Sequence, residues 1–340
     1  MASSAREKKK ITVADLAREA HVSPATVSRV LNKRYDLVTD ATISSVKAAM
    51  EKLGYEVPEA IRLKTAARKE RPTILVNIPD GNLFYSEVIH GAISSANSHG
   101  FNLLSSRSPL DAACMPDFLQ MIRQLKIAGV IVLNPLQSSQ LLQINELVPV
   151  VQCAEFDEES GLPFVSIRNR KAAREATEYL ISQGRNKIAL INGPSAYRYS
   201  RERRQGFLEA VENAQLTIPR NWIVDLPEIN YDMAYSVICQ ILNSDPIPNA
   251  FFTVSDTLAS AVVKASHAFH YKIPEDIMLI GFDNTEFSYT NTPSITTVSQ
   301  PRFQEGFTAC EMLITRIMSP EVTVSSIFLE TELVLRETTG

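Results

Sequence analysis

The stretch ITVADLAREAHVSPATVSRVLNK, residues 11–33, predicts two short helices joined by a tight turn. Thr12 is a favourable N-cap for the first helix, in which Leu16 and Ala17 recur at helical spacing. Ser23 is a favourable N-cap for the second helix. The proline that follows it suits a first helical turn, because its missing N–H would have no partner there. The chain is therefore expected to begin with a helical hairpin.

The second helix has two different faces. Val27, Val30 and Leu31 are predicted to face a core. The outward face carries small or polar side chains and one long basic one, namely Ala25, Thr26, Ser28 and Arg29. These residues alone leave two interpretations open: a hairpin with a solvated face, or a helix-turn-helix whose second helix enters the DNA major groove. In the second interpretation small side chains permit close approach to the bases, and Arg29 can donate two hydrogen bonds to one guanine.

A third predicted helix completes a pattern that resembles a known family. Residues 38–55, VTDATISSVKAAMEKLGY, predict a helix capped by Thr39 and ended by Gly54. Together with residues 11–33 they closely resemble the headpiece of the LacI/GalR (lactose/galactose repressor) family of transcriptional regulators. The resemblance implies DNA contacts at Thr12, Pro24, Ala25, Thr26, Ser28, Arg29 and Asn32, and a phosphate contact at Tyr55. His21 stands where the family usually has glycine, and we expect a left-handed backbone there.

The segment 58–72 links the headpiece to the body of the chain. By composition it is a solvated tether with several basic residues. In the family this segment forms a hinge helix on operator DNA, and a leucine wedges into the minor groove. The resemblance implies this role for Leu63. The sequence departs from the usual hinge pattern, with Pro58-Glu59 where the family has Pro-Asn, and both interpretations stay open.

The charge of the chain is unevenly distributed. Residues 1–72 contain 15 basic and 9 acidic residues, a net charge of +6. Residues 73–340 contain 19 basic and 29 acidic residues, a net charge of −10, so the whole chain carries −4. A basic head on an acidic body favours an anionic partner, such as DNA, for the head alone.

The composition argues against other kinds of protein. The four cysteines form no CxxC pair, which argues against a zinc site and a disulfide framework; they are Cys114, Cys153, Cys239 and Cys310. No apolar run reaches the roughly 18 residues that a membrane span needs. The first ten residues lack the apolar core of a signal peptide. We expect a cytoplasmic protein with no membrane partner, metal or cofactor.

From Thr73 onward, short apolar strands alternate with amphipathic helices, which predicts a parallel, doubly wound sheet. The pattern occurs twice, so we expect two lobes and a ligand cleft beyond the carboxyl ends of the strands. The expected fold class is a small all-α helix-turn-helix headpiece plus an α/β core of two doubly wound parallel-sheet lobes, like that of periplasmic binding proteins. The expected boundaries are 1–57 for the headpiece, 58–72 for the hinge and 73–340 for the effector-binding and dimerisation core. Within the core we expect lobe 1 at about 73–167 and 296–325, and lobe 2 at about 168–295 and 326–340.

The loops at the predicted strand ends carry carboxylates, arginines and aromatic rings. GPSAYRYSRERRQGF (residues 193–207), GFDNTEF (residues 281–287) and the remainder of residues 73–340 resemble the effector-binding core of the same family. The resemblance implies effector contacts at Phe84, Tyr85, Tyr197, Tyr199, Arg201, Asn230, Asp256 and Asp283. Arg203 and Arg204 are interpreted instead as surface or salt-bridged residues.

Departures from the family pattern bear on the class of effector. CAEF at 153–156 replaces a common Ile-Asp-Arg, and Arg168 stands where an aspartate usually precedes Asn169. Turns such as AEFDEESGLPFVSI are most similar to those of the cytidine-repressor branch of the family. These features favour a nucleoside over an ordinary sugar.

We expect an allosteric repressor and not an enzyme. A homodimer would bind a pseudo-palindromic operator in double-stranded DNA and respond to a small nucleoside- or sugar-like effector. Two other classes share the α/β architecture, namely a binding protein for transport and an enzyme. The headpiece argues against the first. Against the second, the sequence contains no GxSxG elbow, P-loop or GxGxxG fingerprint.

Overall fold

The computed structural model describes residues 11–32, 38–55, 57, 71–79, 83–108 and 110–340. The chain divides into two units, with the boundary between Arg71 and Pro72. The headpiece lies in the first unit and the α/β core is the second. Leu63 and most of the expected hinge lie outside the described residues, so the role of Leu63 stays a prediction.

The first unit contains the three helices that the sequence predicts, α1 (Val13–Glu19), α2 (Pro24–Leu31) and α3 (Asp40–Leu53). Thr12 and Asp15 form a reciprocal capping box at the start of α1, in which the Asp15 N–H donates to Thr12 Oγ1 at 3.3 Å. Ser23 caps α2 by accepting from the Thr26 N–H at 3.1 Å. Local side chains satisfy these end groups, so both helices begin where the sequence pattern predicts.

A small apolar core joins the three headpiece helices. Leu16, Val27 and Val46, one from each helix, are fully buried. In the turn between α1 and α2, His21 has a φ of +56°, which is the expected left-handed backbone. The stripe of α2 that the sequence assigns to the core is buried, and its opposite face is left to solvent.

Within the described residues, the second unit contains two six-stranded sheets. The strands of the first sheet lie in the order β11 (Ile327–Leu329), β5 (Phe164–Ile167), β4 (Val150–Cys153), β3 (Ile127–Val132), β1 (Thr73–Asn77) and β2 (Asn102–Ser106). Neighbouring strands of this sheet pair in parallel. The helices of this lobe are α4 (Phe84–Ser98), α5 (Met115–Gln124), α6 (Ser138–Asn145) and α12 (Arg302–Met318). Most residues of its inner strands are buried, as in a sheet that helices cover on both faces.

The second sheet repeats this architecture. Its strands lie in the order β12 (Glu332–Val334), β10 (Thr296–Ser299), β9 (Met278–Asp283), β8 (Ala250–Thr253), β6 (Ile188–Asn192) and β7 (Ile223–Asp225). β12 is antiparallel to β10, and the other pairs are parallel. The helices of this lobe are α7 (Asn169–Ser182), α8 (Arg198–Asn213), α9 (Tyr231–Leu242), α10 (Asp256–Ala268) and α11 (Glu286–Thr290), and a 3₁₀ turn lies at Arg220–Trp222. Another 3₁₀ turn, Glu158–Ser160, lies in the first lobe between β4 and β5. The predicted fold class is therefore confirmed. No helix in the described part of the chain is long and apolar enough to cross a membrane.

The chain passes between the two lobes three times: after β5, after β10, and between β11 and β12. The lobe boundaries consequently differ from those expected. β10, expected in lobe 1, belongs to the second sheet because it pairs with β9. β11, expected in lobe 2, belongs to the first sheet because it pairs with β5. Pairing at a sheet edge uses backbone groups, and the side-chain pattern of a short strand carries no record of its partner.

Candidate functional site

Small side chains surround one guanidinium on the outer face of α2. This face consists of Pro24, Ala25, Ser28 and Arg29, with Thr26 half-buried beside them. The Arg29 guanidinium has no hydrogen bond or ion pair to another described residue. Such a surface allows the backbone of a helix to come close to a groove while one long side chain reaches a base edge.

The other predicted DNA-contact residues of the headpiece also have structural roles. Thr12 is exposed at the N-terminus of α1, within the capping box. The Asn32 side chain donates to the Ser28 carbonyl at 2.7 Å and so closes the last turn of α2. Tyr55 packs against the headpiece core and stays half-exposed. All three residues therefore remain at the surface, and local hydrogen bonds or packing hold them in position.

A small cavity of about 30 Å³, here called the inner cavity, lies between the two lobes of the second unit. Its lining comes from both lobes: Phe84, Tyr85, Ala154, Glu155, Ser166, Ile167 and Glu305 from the first, and Asn169, Tyr199, Arg203, Ile229, Val254, Ser255, Asp283 and Gln300 from the second. Many of these residues lie at or just after the carboxyl ends of β4, β5, β8, β9 and β10, where ligands bind in α/β sheets.

A wider space of about 640 Å³, here called the outer cleft, adjoins the inner cavity. Its lining is Pro79, Leu83, Tyr85, Pro194, Tyr197, Tyr199, Pro227, Glu228, Ile229, Thr257, Glu286 and Phe287. Tyr85, Tyr199 and Ile229 line both spaces and form the boundary between them. The structure therefore brings five of the predicted effector residues to these spaces, namely Phe84, Tyr85, Tyr197, Tyr199 and Asp283.

A buried ion pair lies at the wall of the inner cavity. Arg203 Nη1 is 3.5 Å from Asp283 Oδ1, and both side chains are only 5% exposed. Arg203 Nε donates to Asn169 Oδ1 at 2.9 Å, and Nη1 donates to the Val254 carbonyl at 2.7 Å. The guanidinium carbon also lies 3.5 Å from the centre of the Phe282 ring. These contacts hold the guanidinium in one orientation.

Asp283 combines an unusual backbone with a perturbed carboxyl group. Its φ of +101° lies in the left-handed region that residues other than glycine seldom occupy, and such strain is often found at functional sites. The Gln300 side chain donates to Asp283 Oδ1 at 2.6 Å. Burial raises the pKa of Asp283 to about 6, against the opposing effect of the Arg203 charge.

A carboxylate of the first lobe caps a helix of the second lobe. Glu155 follows β4 and accepts from the N–H groups of Arg198, at 2.7 Å, and Tyr199, at 3.0 Å, in the first turn of α8. Ala154 before it has a φ of +63°. Burial raises the pKa of Glu155, and the two backbone hydrogen bonds oppose that rise. Because a carboxylate is favoured at a helix N-terminus, Glu155 stabilises the contact between the lobes beside the cavity.

A third carboxyl group, Glu305, lies in the first turn of α12. It is fully buried and lines the inner cavity. Neither of its oxygens has a hydrogen-bond partner among the described residues. Burial raises its pKa to about 8, although the Arg203 charge opposes the shift. Within the described residues no group of three or more His, Cys, Asp or Glu side chains is placed to hold a metal ion.

Arg201 does not reach either space, contrary to expectation. It is exposed on the outer face of α8, and its Nη1 donates to the carbonyl oxygens of Ser195 and Ala196. Arg203, which the sequence interpretation set aside, is the arginine that lines the inner cavity. The sequence did indicate that Arg203 faces inward, because the buried stripe of α8 recurs at helical spacing as Ser200, Arg203, Phe207 and Ala210.

Asn230 and Asp256 likewise have structural roles in place of the expected cavity contacts. Asn230 caps α9 by accepting from the Met233 N–H, and its neighbour Ile229 lines both spaces in its place. Asp256 is fully buried and accepts from the Thr285 N–H and the Thr297 hydroxyl, each at 2.6 Å. Those bonds tie the start of α10 to the loop after β9 and to β10.

Buried acids predict how the stability of the second unit depends on pH. Burial raises the pKa of Asp256 to about 7, that of Asp283 to about 6 and that of Glu305 to about 8. An acid whose pKa is higher in the folded chain stabilises the fold at low pH, and this stabilisation is lost as the pH rises through the folded pKa. We expect the melting temperature to fall between about pH 5 and pH 8.5. Glu305→Gln cannot titrate and should flatten the upper part of that curve; an unchanged slope would contradict the raised pKa of Glu305.

Comparison with known protein families gives two matches. A family described as "Bacterial regulatory proteins, lacI family" matches residues 12–57. A family described as "Periplasmic binding protein-like domain" matches residues 177–339. The first match covers the headpiece, and the second covers the second lobe together with the returning segments of the chain.

Full-length relatives are transcriptional repressors. The HTH-type transcriptional repressor CytR of Escherichia coli (strain K12) is 32% identical over 332 residues, which cover 96% of this chain and 96% of the relative. The ribose operon repressor of Halalkalibacterium halodurans is 31% identical over 330 residues, which cover 96% of this chain and 97% of the relative.

Solved structures share the fold over nearly the whole chain. The transcriptional regulator CelR in its cellobiose complex has a TM-score of 0.70 at 26% identity and covers 96% of this chain and 99% of that chain. The lac repressor dimer bound to operator and an anti-inducer has a TM-score of 0.72 at 24% identity, and the match covers 97% of this chain and 99% of that chain. At that identity the lac repressor shows the fold alone.

Proposed function

The chain belongs to the LacI family of bacterial regulatory proteins, and from this premise we propose that it is a transcriptional repressor whose homodimer binds a pseudo-palindromic operator. A small nucleoside- or sugar-like effector in the inner cavity and outer cleft would control that binding. The family and its full-length relatives support the DNA-binding regulator. Beyond that regulator, we propose the pseudo-palindromic operator, the homodimer and the class of effector.

The exposed face of α2 is the observation that carries the DNA-binding proposal. Within this face the side chains of Pro24, Ala25 and Ser28 are short, and the guanidinium of Arg29 is exposed. In the major groove Arg29 would donate two hydrogen bonds to one guanine, which specifies the base. Thr12 and Tyr55 would contact phosphates and fix the orientation of the headpiece. One headpiece reads one half-site, so a two-fold dimer suits a pseudo-palindromic operator.

The two spaces between the lobes support the effector proposal. The outer cleft, at about 640 Å³, is large enough for one sugar or nucleoside. It adjoins the inner cavity, which Phe84, Tyr85 and Tyr199 line beside the Arg203–Asp283 pair. A ligand held by both lobes would favour the closed arrangement, and only its different affinity for two arrangements can alter DNA binding. CelR forms a complex with cellobiose. The names of the relatives and the aromatic boundary of the outer cleft support a ligand of sugar or nucleoside class.

An enzyme or a transport protein on the same two-lobed architecture is the alternative. Full-length relatives with the headpiece are repressors, which favours the regulator. Catalytic turnover of a bound ligand by the purified protein would favour an enzyme.

Arg29→Ala tests the proposed reading of DNA. Operator sequences are first selected from random double-stranded DNA with the full-length protein, and affinities for the selected and a scrambled sequence are then measured by fluorescence anisotropy at fixed salt. We expect the variant to lose about 1–3 kcal/mol of discrimination, or roughly 5-fold to 150-fold, because a bidentate guanine contact is lost.

Lys47→Ala is the matched control, because Lys47 is an exposed basic residue on α3 and its removal changes the net charge equally. It should weaken binding to both sequences by a similar factor and leave discrimination unchanged. Equal affinity of the unmodified protein for selected and scrambled DNA would contradict the proposed function.

A further inference from the structure

Glu305 is a buried carboxyl group without a partner. It lies in α12 at the wall of the inner cavity, with 0% of its surface exposed. Both of its oxygens lack a hydrogen-bond donor among the described residues. A buried carboxyl group in this condition is unfavourable, and such exceptions in native proteins call for an explanation.

Glu305 receives no hydrogen bond from its charged neighbour Arg203, which is directed at other acceptors. Arg203 donates to Asn169 and to the Val254 carbonyl, and it pairs with Asp283. The other two carboxyl groups that line the cavity do have donors: Asp283 accepts from Gln300, and Glu155 accepts from the first turn of α8. Glu305 is thus the one lining carboxyl group whose hydrogen-bonding capacity is left for a ligand, within the part of the chain that the structure describes.

We propose that Glu305 binds an amino N–H group of the effector, so that the effector is an amino compound. This inference rests on the proposed function of the inner cavity as an effector site. A hydroxyl group could also donate to a carboxylate. However, an ammonium group provides a stronger, charge-assisted contact with a carboxylate. A planar amino edge provides two hydrogen bonds to one carboxyl group.

Two kinds of small molecule share this chemistry. The aminated edge of a nucleobase has a ring nitrogen that accepts and an exocyclic amine that donates, and a protonated carboxyl group matches both at once. An amino sugar has an ammonium group that pairs with a carboxylate. The aromatic side chains of Phe84, Tyr85 and Tyr199 beside the cavity are compatible with either ring.

The protonation state of Glu305 distinguishes an aminated nucleobase from an amino sugar. The charged and titratable groups that face it are Arg203 from α8, Asp283 from β9, Cys153 from β4 and Arg302 from its own helix. Burial is the largest influence and raises the pKa to about 8, so the free protein holds the proton at pH 7. An ammonium ligand would displace that proton into the buffer. A neutral nucleobase edge would keep it in place, and binding would release none.

The first measurement compares matched ligands that differ at nitrogen. Calorimetric titration of the full-length protein at about pH 7 uses cytidine and adenosine, each against its derivative dimethylated on the exocyclic amine, and glucosamine against glucose, because the second member of each pair lacks the amino N–H. We expect the amino member of at least one pair to bind at least about tenfold more tightly than its counterpart, as a hydrogen bond to a buried carboxyl group predicts. Repeating the titration in two buffers of different ionisation enthalpy counts the protons released, about one for an amino sugar and none for a nucleoside.

Variants of Glu305 connect this preference to the residue. Glu305→Leu should remove the preference for the amino member. Glu305→Gln should retain it for a nucleobase, because an amide also donates and accepts along one edge, and should lose it for an amino sugar. Glu321→Leu removes an exposed carboxylate elsewhere in the chain and is the matched control, for which an unchanged preference is expected.

A second measurement needs no ligand. Since Glu305 lacks a partner, Glu305→Leu should raise the melting temperature of the ligand-free protein by about 2–4 °C or more, while Glu321→Leu should not. A lower melting temperature for Glu305→Leu would overturn the inference, because Glu305 would then be stabilised by the protein itself. Equal binding of both members of every pair would overturn the inference and leave the effector site in place. Binding of none of the six compounds would contradict the effector site and the inference together.

Discussion

Replacing Arg203 with methionine is expected to lower the free energy of unfolding of the second unit by about 3–5 kcal/mol. The change leaves Asp283 without its cationic partner at a position where both side chains are 5% exposed. It also removes the donor to the Val254 carbonyl and to the amide oxygen of Asn169. Urea denaturation followed by the fluorescence of Trp222, the single tryptophan of the sequence and a buried residue of the second lobe, measures the loss.

Arg201→Met is the matched control for that experiment. Arg201 lies two residues earlier on the same helix, but its side chain is exposed and donates to loop carbonyl groups. Its replacement should change the free energy of unfolding by no more than about 0.5 kcal/mol. Equal losses in the two variants would mean that Arg203 does not occupy the buried face of α8. A large loss for Arg201→Met alone would mean that Arg201, and not Arg203, occupies the buried face of α8.

Gly306→Ala is expected to destabilise the first lobe by about 3 kcal/mol or more. In α12 this glycine faces α4, and a methyl group on it would lie 1.8 Å from the carbonyl oxygen of Val88. Gly91 of α4 is packed in the same way, since a methyl group there would lie 1.9 Å from the carbonyl oxygen of Phe303. The obstacle at both positions is backbone, so a side chain cannot move aside and the two helices must separate.

Thermal and urea denaturation measure this effect, with Ser94→Ala on the exposed side of α4 as the control for a small change in the helix that faces α12. That control should have a melting temperature close to that of the parent protein. Glu305 precedes Gly306, so separation of the helices should also displace the wall of the inner cavity. Parental stability in Gly306→Ala would mean that α4 and α12 lie farther apart than the structure has them.

The headpiece could be predicted almost completely from sequence. Thr12 and Ser23 cap the helices that follow them, and the buried stripe of α2 matches the apolar spacing. Even the departure at His21 has the expected left-handed backbone. These features depend on groups within a few residues of one another, so they can be recognised without knowing which elements come together.

In the core, the order of strands and helices was predictable and the division into lobes was only partly so. Alternation of apolar strands with amphipathic helices predicted two parallel lobes, and the topology confirms them. The placement of β10 and β11 in opposite sheets was not predictable. A three- or four-residue strand joins a sheet through backbone hydrogen bonds, and its side chains are compatible with either of the two sheets.

The sequence by itself determined the fold class, the exposed face of α2 and the strand-end loops that line the spaces between the two lobes. Only the tertiary structure decided which polar side chains of those loops and helices face one another. It placed Arg203, Glu155 and Glu305 at the inner cavity, and it gave Arg201 and Asp256 other roles. The physical reason is that a carboxylate or guanidinium is distinguished by its burial and its partners. Those partners come from elements distant in sequence, such as β4 with α8 and α8 with β9, so no local pattern records them.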